Sequence, residues 1–291
     1  MQDTGKFRTN AMDQFYTSPT VAASCIALIL QHIPNAKECT WVEPSAGNGS
    51  FLHNVPPPIN KIGIDLDPKS PDILKHDYLE WSPATTDPTP ILVFGNPPFG
   101  RQSSLAKAFI AKSCTFADAI AFILPKSFTK PSMFNAFDLK FHCMHSAELP
   151  VNSFVLNGAP YDVPCVFQIW QNKTVNRTVE TAVPAIGFQY VKVKVNVDDV
   201  IIYDVAFRRV GGYAGKCFAN DGTTSYSAQS HHFLKFDDAC VPFMGSIVEK
   251  INAHTFPSNT VGPRSLSKSE INVVLNEIIA TTTPTNAAKC I

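Results

Sequence analysis

Short apolar runs alternate with stretches of helical spacing along the first two thirds of the chain. Helical spacing is seen in Val21, Cys25, Leu28 and Ile29, which follow Ser18-Pro19, a pair suited to start a helix, and again over 103–116. We also predict helices behind the loop that ends near residue 51 and at 132–139. Strands are predicted at 40–42, 61–65, 91–94, 119–124, 143–149 and 165–170. Alternating strands and helices indicate an α/β fold with one doubly wound, mostly parallel sheet.

The pattern changes near residue 171, where a polar, turn-rich stretch begins. The segments that follow are rich in β-branched and aromatic residues. We predict strands at 188–197, 200–210 and 231–236, and helices at 243–253 and 268–280. The sequence therefore predicts two domains, with residues 1–175 forming the α/β domain and residues 176–291 a smaller, β-rich α+β lobe.

The composition is that of a globular protein without a strong charge bias. Hydrophobic residues make up 45% and charged residues 16% of the chain, and 24 basic residues balance 24 acidic ones. Any nucleic-acid contact must therefore come from a local basic patch. We see neither a secretory signal nor an apolar run of the ~20 residues that a membrane helix needs, so we expect an intracellular protein, cytoplasmic or nuclear, that is not secreted and has no membrane contact.

The segment Gly95-Asn96-Pro97-Pro98-Phe99-Gly100 directly follows the apolar run 91–94. Such a run, ended by glycine and two prolines, predicts a buried strand that stops at a rigid turn. The Asn96 amide and the neighbouring carbonyls are then stiffly held hydrogen-bond acceptors beside an aromatic residue. These groups suit a flat ring that carries an amino group, such as adenine.

Acidic residues follow three predicted strands. Glu43 opens the glycine-containing loop 43–51, Asp65 ends the next strand, and Asp77 precedes Tyr78. A carboxylate at the end of the second strand of an α/β unit typically binds the two ribose hydroxyls of a nucleotide. Asp77 could accept a hydrogen bond from an exocyclic amine while Tyr78 stacks on a ring. Taken singly, each acid is more often a helix cap or a surface charge. At three successive strand ends, they indicate a nucleotide-like ligand.

Four motifs together resemble the amino-methyltransferases that methylate N6 of adenine with S-adenosylmethionine. The segment 96–99 is similar to their catalytic motif, 43–51 to their cofactor loop, 63–68 to their ribose-binding turn, and 13–17 to their N-terminal cofactor segment. The motif order resembles the gamma arrangement of DNA adenine methyltransferases, although RNA adenosine methyltransferases share much of the pattern. The resemblance covers about residues 13–170. It implies a seven-stranded Rossmann-like methyltransferase sheet and S-adenosylmethionine as cofactor.

The resemblance also assigns individual residues. It implies that Asn96, Pro97 and Phe99 are catalytic and that Phe99 stacks on the target base. Phe154 resembles the second aromatic residue that sandwiches the base, but a plain core role fits it equally well. The cofactor-binding residues that the resemblance implies are Phe15, Tyr16, Thr17, Glu43, Ala46, Gly47, Asp65, Asp77, Tyr78 and Asn96.

Outside the resemblance, two basic sites are candidates for contact with nucleic-acid phosphates. Arg208 and Arg209 begin a glycine-rich loop that contains a tyrosine and reaches Lys216, a composition that can follow a backbone and stack on bases. An ordinary solvated turn fits this loop equally well. Lys126, directly after a predicted strand, is a weaker candidate. The spacing of histidines and cysteines predicts no metal site.

We therefore expect direct methyl transfer to adenine N6 in nucleic acid, with DNA favoured over RNA. We call the turn at residues 96–99 the Asn96 platform. A base in a duplex cannot reach such a recessed platform, so the target must be flipped out or unpaired. Two alternatives remain open. The chain could be a catalytically idle methyltransferase-like subunit that binds nucleic acid or activates a partner, and the sequence identifies no such partner. It could also methylate a protein glutamine, although enzymes of that kind usually carry tyrosine where this chain has Phe99.

Overall fold

The computed structural model describes residues 16–84, 88–179, 182–192, 203–257, 260 and 263–283. The chain divides into two compact units, Met1–Val179 and Glu180–Ile291. In the described residues, two hydrophobic clusters lie within the first unit and a third lies within the second. The division falls close to the boundary that the sequence predicts after residue 175.

A seven-stranded sheet forms the centre of the first unit. In chain order, the strands of this unit are β1 (Tyr16–Thr17), β2 (Thr40–Glu43), β3 (Lys61–Asp65), β4 (Ile73–Lys75), β5 (Ile91–Gly95), β6 (Ala119–Pro125), β7 (Phe141–Glu148), β8 (Phe154–Leu156), β9 (Ala159–Tyr161) and β10 (Cys165–Asn172). The large sheet has the order β4-β3-β2-β5-β6-β10-β7. Strands β4, β3, β2, β5 and β6 are parallel, and β10 is antiparallel to both of its neighbours. The predicted seven-stranded, mostly parallel Rossmann-like sheet is confirmed.

Helices cover both faces of this sheet. They are α1 (Pro19–His32), α2 (Ser104–Ser113) and the single turn α3 (Pro131–Phe134). Trp41 and Phe94 belong to the apolar cluster of α1, whereas their neighbours Val42 and Val93 belong to the cluster of α2. Successive residues of a strand point to opposite faces, so this alternation places one helix on each side. All residues of β6 are buried, as expected for a central strand covered on both faces.

Two helix predictions in the first unit are wrong. Behind the loop 43–51 the chain forms only the 3₁₀ turn Leu52–Asn54, because Pro56, Pro57 and Pro58 follow and a proline run cannot continue a helix. The helix predicted at 132–139 shrinks to α3. Arg177 then binds the backbone carbonyls of the turns that follow α3.

The stretch between the predicted strands 143–149 and 165–170 contains a β-hairpin. Strands β8 and β9 pair around Asn157-Gly158, whose φ angles are 51° and 78°. Positive φ at both central positions is typical of a two-residue hairpin turn. Strand β1 adds to β8 and completes a three-stranded sheet. The segment that begins the described chain is therefore held against the hairpin.

The second unit is a four-stranded antiparallel sheet with two helices. Its strands are β11 (Phe188–Val191), β12 (Val205–Arg208), β13 (Cys217–Ala219) and β14 (His231–Phe236), in the order β11-β14-β12-β13, and its helices are α4 (Met244–Ala253) and α5 (Lys268–Thr282). Ser267 caps α5, and Glu270 reciprocates in a capping box. The predicted β-rich α+β lobe is confirmed, although residues 193–202 of its first two predicted strands lie outside the described residues. No helix in the described ranges is long and apolar enough to cross a membrane.

Candidate functional site

A cavity of about 360 Å³ lies at the carboxyl ends of the parallel strands. Glu43 ends β2, Asp65 ends β3, and Asn96 follows β5, so the sheet brings these three residues to one edge. The cavity size is within the range of small-molecule and cofactor sites. Nine of the predicted cofactor residues line the cavity: Tyr16, Thr17, Glu43, Ala46, Gly47, Asp65, Asp77, Tyr78 and Asn96. The tenth, Phe15, lies outside the described residues.

Asp65 fixes the loop that follows β2. Its Oδ2 accepts the Gly47 N–H at 2.7 Å, and its Oδ1 accepts the Asp67 N–H at 2.8 Å. The Lys69 N–H in turn donates to the Gly47 carbonyl at 2.9 Å. A carboxylate has about four lone-pair sites, so both oxygens of Asp65 retain acceptor capacity beside the cavity. Asp65 can therefore hold the loop and a ligand hydroxyl together.

Tyr16 closes the cavity over the glycine of this loop. Gly47 has φ +53°, and a Cβ atom there would lie 3.0 Å from Tyr16 Cε1. Pairing of Tyr16 with Val155 holds the tyrosine in place. The adjacent Thr17 is 4% exposed, and its Oγ1 is buried without a hydrogen-bond partner among the described residues. A glycine is needed at position 47 both for its backbone angle and for this close contact.

Glu43 is the most deeply buried acid in the cavity wall, with an exposed fraction of 2%. Its Oε2 makes no hydrogen bond to the described part of the chain. Burial raises the pKa of Glu43 well above its usual range, and the negative charge of Asp65 raises it further. A buried acceptor without a partner is costly in a folded protein, and such an atom in a cavity wall is typical of a ligand site.

The Asn96 platform is tied to the cofactor loop. The Ser45 hydroxyl donates to the Asn96 carbonyl at 3.0 Å. Gly95 has φ +125°, and a Cβ there would lie 3.0 Å from Glu43 Cγ, so the turn needs glycine to pass beside the acid. Asn96 and Pro98 line the cavity. The Asn96 turn and the loop 43–51, with its acid Glu43, therefore form one continuous wall.

Phe99 and Pro97 are buried, and the Phe99 ring packs in the apolar cluster of α1 with an exposed fraction of 5%. A base could stack on Phe99 only after this ring became accessible, so its stacking role stays a prediction. Phe154 is completely buried in the same cluster. Phe154 therefore lies in the core, which was one of the two roles that the sequence left open for it.

Asp77 and Tyr78 also line the cavity. Asp77 uses Oδ1 to accept the Leu79 N–H at 2.8 Å. Tyr78 also borders the cavity, but it is only 1% exposed, and its hydroxyl is 2.7 Å from Ser113 Oγ. Its ring packs on Phe109, and burial raises its pKa. A ligand ring could not stack on Tyr78 over its full face in this arrangement.

Three other apolar side chains that line the cavity are more exposed than Tyr78. Leu66, Leu79 and Leu105 line the cavity and have exposed fractions of 67%, 37% and 41%. Helical periodicity predicts Leu105 on the core face, and no signal in the sequence distinguishes it from a core leucine. These three leucines expose apolar surface in the cavity wall, and the ring-stacking role of Tyr78 stays a prediction.

The predicted phosphate contacts are not among the residues that line the cavity. Lys126 Nζ forms an ion pair with Glu148 at 2.8 Å. Arg208 and Arg209 belong to the second unit, where Arg208 Nε donates to the Val210 carbonyl at 2.8 Å and Arg209 Nη2 to the Gln229 carbonyl at 2.7 Å. All three cations remain candidates for contact with a large polyanion.

Comparisons with known proteins leave the family open. No known family and no curated protein matches the sequence. A candidate RNA methyltransferase from Pyrococcus horikoshii is 14% identical, with a TM-score of 0.44, over 58% of this chain and 92% of its own. A candidate class I S-adenosylmethionine-dependent methyltransferase from Listeria monocytogenes is 16% identical, with a TM-score of 0.44, over 60% of this chain and 66% of its own. Magnesium protoporphyrin IX methyltransferase from Synechocystis PCC 6803, with bound S-adenosylmethionine, is 8% identical, with a TM-score of 0.37, over 53% of this chain and 79% of its own.

Proposed function

We propose that this chain transfers the methyl group of S-adenosylmethionine to N6 of adenine in nucleic acid. The observation that carries the proposal is that two kinds of group line one continuous wall of the cavity. The acids Glu43 and Asp65 lie at one part of the cavity, and the Asn96 turn lies at the adjoining strand end, joined to the loop by the Ser45–Asn96 hydrogen bond. A methyl donor and an amine acceptor could thus meet in one cavity.

The residues present fit S-adenosylmethionine. The unpartnered Glu43 Oε2 suits the ammonium group of the methionine portion, and the remaining acceptor capacity of Asp65 suits the ribose hydroxyls. The exposed leucines 66, 79 and 105 provide an apolar surface for the adenine ring. When bound, this cofactor supplies an electrophilic methyl group on a sulfonium, and the protein supplies alignment.

Asn96 and Pro97 would act on the target amine. The lone pair of an adenine amine is delocalised into the ring, which makes the amine a poor nucleophile. Hydrogen bonds from its two N–H groups to the Asn96 side chain and the Pro97 carbonyl would localise that lone pair and stabilise the positive charge that develops on nitrogen. The amine nitrogen would bond to the methyl carbon as the sulfur–methyl bond breaks, so that S-adenosylhomocysteine leaves and one amine proton passes to water. This chemistry needs no metal ion.

The substrate would be an adenine that is flipped out of a duplex or already unpaired. Asn96 is only partly exposed, so a stacked and paired base could not bring its amine to the platform. Arg208, Arg209 and Lys126 are the proposed contacts to the phosphate backbone. With zero net charge over the chain, such contacts would be local and sensitive to salt.

The test is incubation of the protein with radiolabelled S-adenosylmethionine and separate pools of duplex DNA, single-stranded DNA, ribosomal RNA and capped RNA. Label in the adenine nucleosides of one pool is the expected result. Label that appears only in protein would support glutamine methylation instead. Cofactor binding without transfer to any pool would favour the idle-subunit alternative. The matched control is Asn96→Ala, which should bind the cofactor but transfer little label.

A further inference from the structure

Glu43 is surrounded by groups that disfavour its negative charge. It is 2% exposed, and its Oε2 has no partner among the described residues. A carboxylate removed from water without a compensating partner is strongly destabilised, and such a group normally takes up a proton instead. The pKa of Glu43 is accordingly raised well above its usual range, with burial as the main cause.

The neighbouring elements offer Glu43 little compensation. The charged group that acts on it is Asp65 at the end of β3, a second negative charge that opposes ionisation of Glu43. The end of β5 presents the uncharged Gly95 to the Glu43 side chain. The 3₁₀ turn contributes a backbone hydrogen bond at Leu52, which lowers the Glu43 pKa but does not outweigh burial. No cation of the described chain is among the groups that act on Glu43.

We infer that binding of the cofactor displaces the proton of Glu43, so that uptake of S-adenosylmethionine is coupled to the release of one proton. The inference rests on the proposed function, which supplies a ligand with an ammonium group. In the empty cavity Glu43 is protonated. An ammonium within hydrogen-bond distance favours the carboxylate, and the proton leaves to solvent. The ion pair then satisfies the buried oxygen that lacks a partner.

This coupling makes cofactor affinity depend on pH. Between the pKa of Glu43 in the complex and its higher pKa in the empty protein, each bound ligand releases up to one proton, and the affinity rises by up to about tenfold for each unit of increasing pH. The coupling also discriminates between ligands. S-adenosylhomocysteine retains the ammonium and should release the proton, whereas methylthioadenosine lacks the whole amino-acid portion and should not.

The experiment is titration calorimetry of the full chain with these two ligands. Each titration is done at one pH in two buffers with different heats of ionisation, which gives the number of protons released. A pH below about 7 keeps the α-amino group of the ligand protonated. We expect about one proton released with S-adenosylhomocysteine and about none with methylthioadenosine. Equal proton release with the two ligands would overturn the inference.

Two variants locate the proton. Glu43→Gln has no ionisable group at this position, so its affinity for S-adenosylhomocysteine should be lower, nearly independent of pH and free of proton release. Glu38→Gln removes an exposed acid outside the cavity and should behave like the wild type. Unchanged proton release in a folded Glu43→Gln variant would overturn the inference. If Glu43→Gln fails to fold, the wild-type comparison of the two ligands decides alone.

Failure of the inference differs from failure of the proposed function. If S-adenosylhomocysteine binds the wild type without proton release, cofactor binding stands and only the role of Glu43 is overturned. If neither S-adenosylmethionine nor S-adenosylhomocysteine binds at any pH in the titration, the proposed function fails, and the inference fails with it.

Discussion

At the residue scale, the roles that we propose for Asn96 and Asp65 can be separated by experiment. Asn96 lies on the turn that follows β5, where it lines the cavity and its backbone carbonyl accepts the Ser45 hydroxyl. Asp65 accepts backbone N–H groups from the loop after β2 and from its own turn. Substitution of Asn96 should therefore affect transfer, whereas substitution of Asp65 should first affect cofactor binding.

Asn96→Ala should leave cofactor affinity nearly unchanged and lower the rate of methyl transfer by at least about 100-fold, because it removes a hydrogen-bond acceptor used in the transition state. Cofactor affinity from calorimetry and single-turnover transfer rates test this expectation. Asn60→Ala, at an exposed asparagine, is the matched control and should retain both. Equal losses of binding and transfer in Asn96→Ala would contradict the assigned role.

Asp65→Ala should weaken cofactor binding by at least about tenfold, because both the loop contact to Gly47 and the proposed ribose contact are lost. Calorimetry with S-adenosylhomocysteine measures this change. Asp72→Ala is the control, since Asp72 is an exposed acid that pairs with His53. Unchanged affinity in Asp65→Ala would remove Asp65 from the ribose site.

At the scale of elements, six of the seven strands of the large sheet could be predicted from the sequence, whereas β4 and the exposure of side chains could not. Apolar runs predict β5, β6 and β10 because strands that are covered on both faces need continuous apolar residues. The predicted acids Glu43 and Asp65 end neighbouring parallel strands and therefore lie at one edge of the sheet. The β8–β9 hairpin was missed because its strands are only three residues long, although Asn157-Gly158 is a turn signal. The positions of Tyr78 and Leu105 depend on tertiary packing, which periodicity cannot resolve.

The loop after β2 should be intolerant of a side chain at position 47. Gly47→Ala would strain a backbone with φ +53° and bring the new Cβ to 3.0 Å from Tyr16. We expect a loss of cofactor affinity of at least about tenfold, measured by calorimetry. Gly212→Ala is the control, because a Cβ there meets no atom within 4 Å in the described structure. Equal affinities in the two variants would show that the loop does not need the close contact.

Arg177 joins the turns after α3 to the end of the sheet. Its guanidinium donates to the carbonyls of Phe134, Phe137 and Phe141 at 2.8–3.0 Å, donates also to Asp138, and lies 5.7 Å from the Trp170 ring centre. Arg177→Met should lower the free energy of unfolding by about 3 kcal/mol, because several carbonyls lose their donor. Denaturant unfolding measures it, with the exposed Lys173→Met as control. A loss as small as that of Lys173→Met would contradict this account.

At the scale of the whole molecule, the cofactor cavity belongs to one unit. All the described residues that line it lie between Tyr16 and Phe109. A fragment of residues 1–179 should therefore bind S-adenosylhomocysteine with nearly the affinity of the full chain. The same fragment should transfer methyl groups to nucleic acid poorly if Arg208 and Arg209 contact the backbone. Full transfer by the fragment would remove the second unit from substrate binding.

The second unit should lose stability in acid through His232. Burial, with the positive charges of Arg209 and Lys268, lowers the pKa of His232 to about 4. Between that pKa and about 6.5, the unfolded chain binds the proton that the folded chain excludes, so the free energy of unfolding falls as the pH falls. Denaturant unfolding of wild type and His232→Gln at about pH 8 and pH 5 tests this expectation. The loss on acidification should be smaller in the variant, and an equal loss would contradict it.

The central claim concerns the atom that receives the methyl group. The most direct measurement is mass spectrometry of nucleosides from nucleic acid methylated by the wild type, digested at neutral pH so that methyl groups do not migrate. The Asn96 platform predicts methyl groups on N6 of adenine and no such product with Asn96→Ala. A product methylated at adenine N1 or at cytosine, or equal yields from the two proteins, would contradict the account.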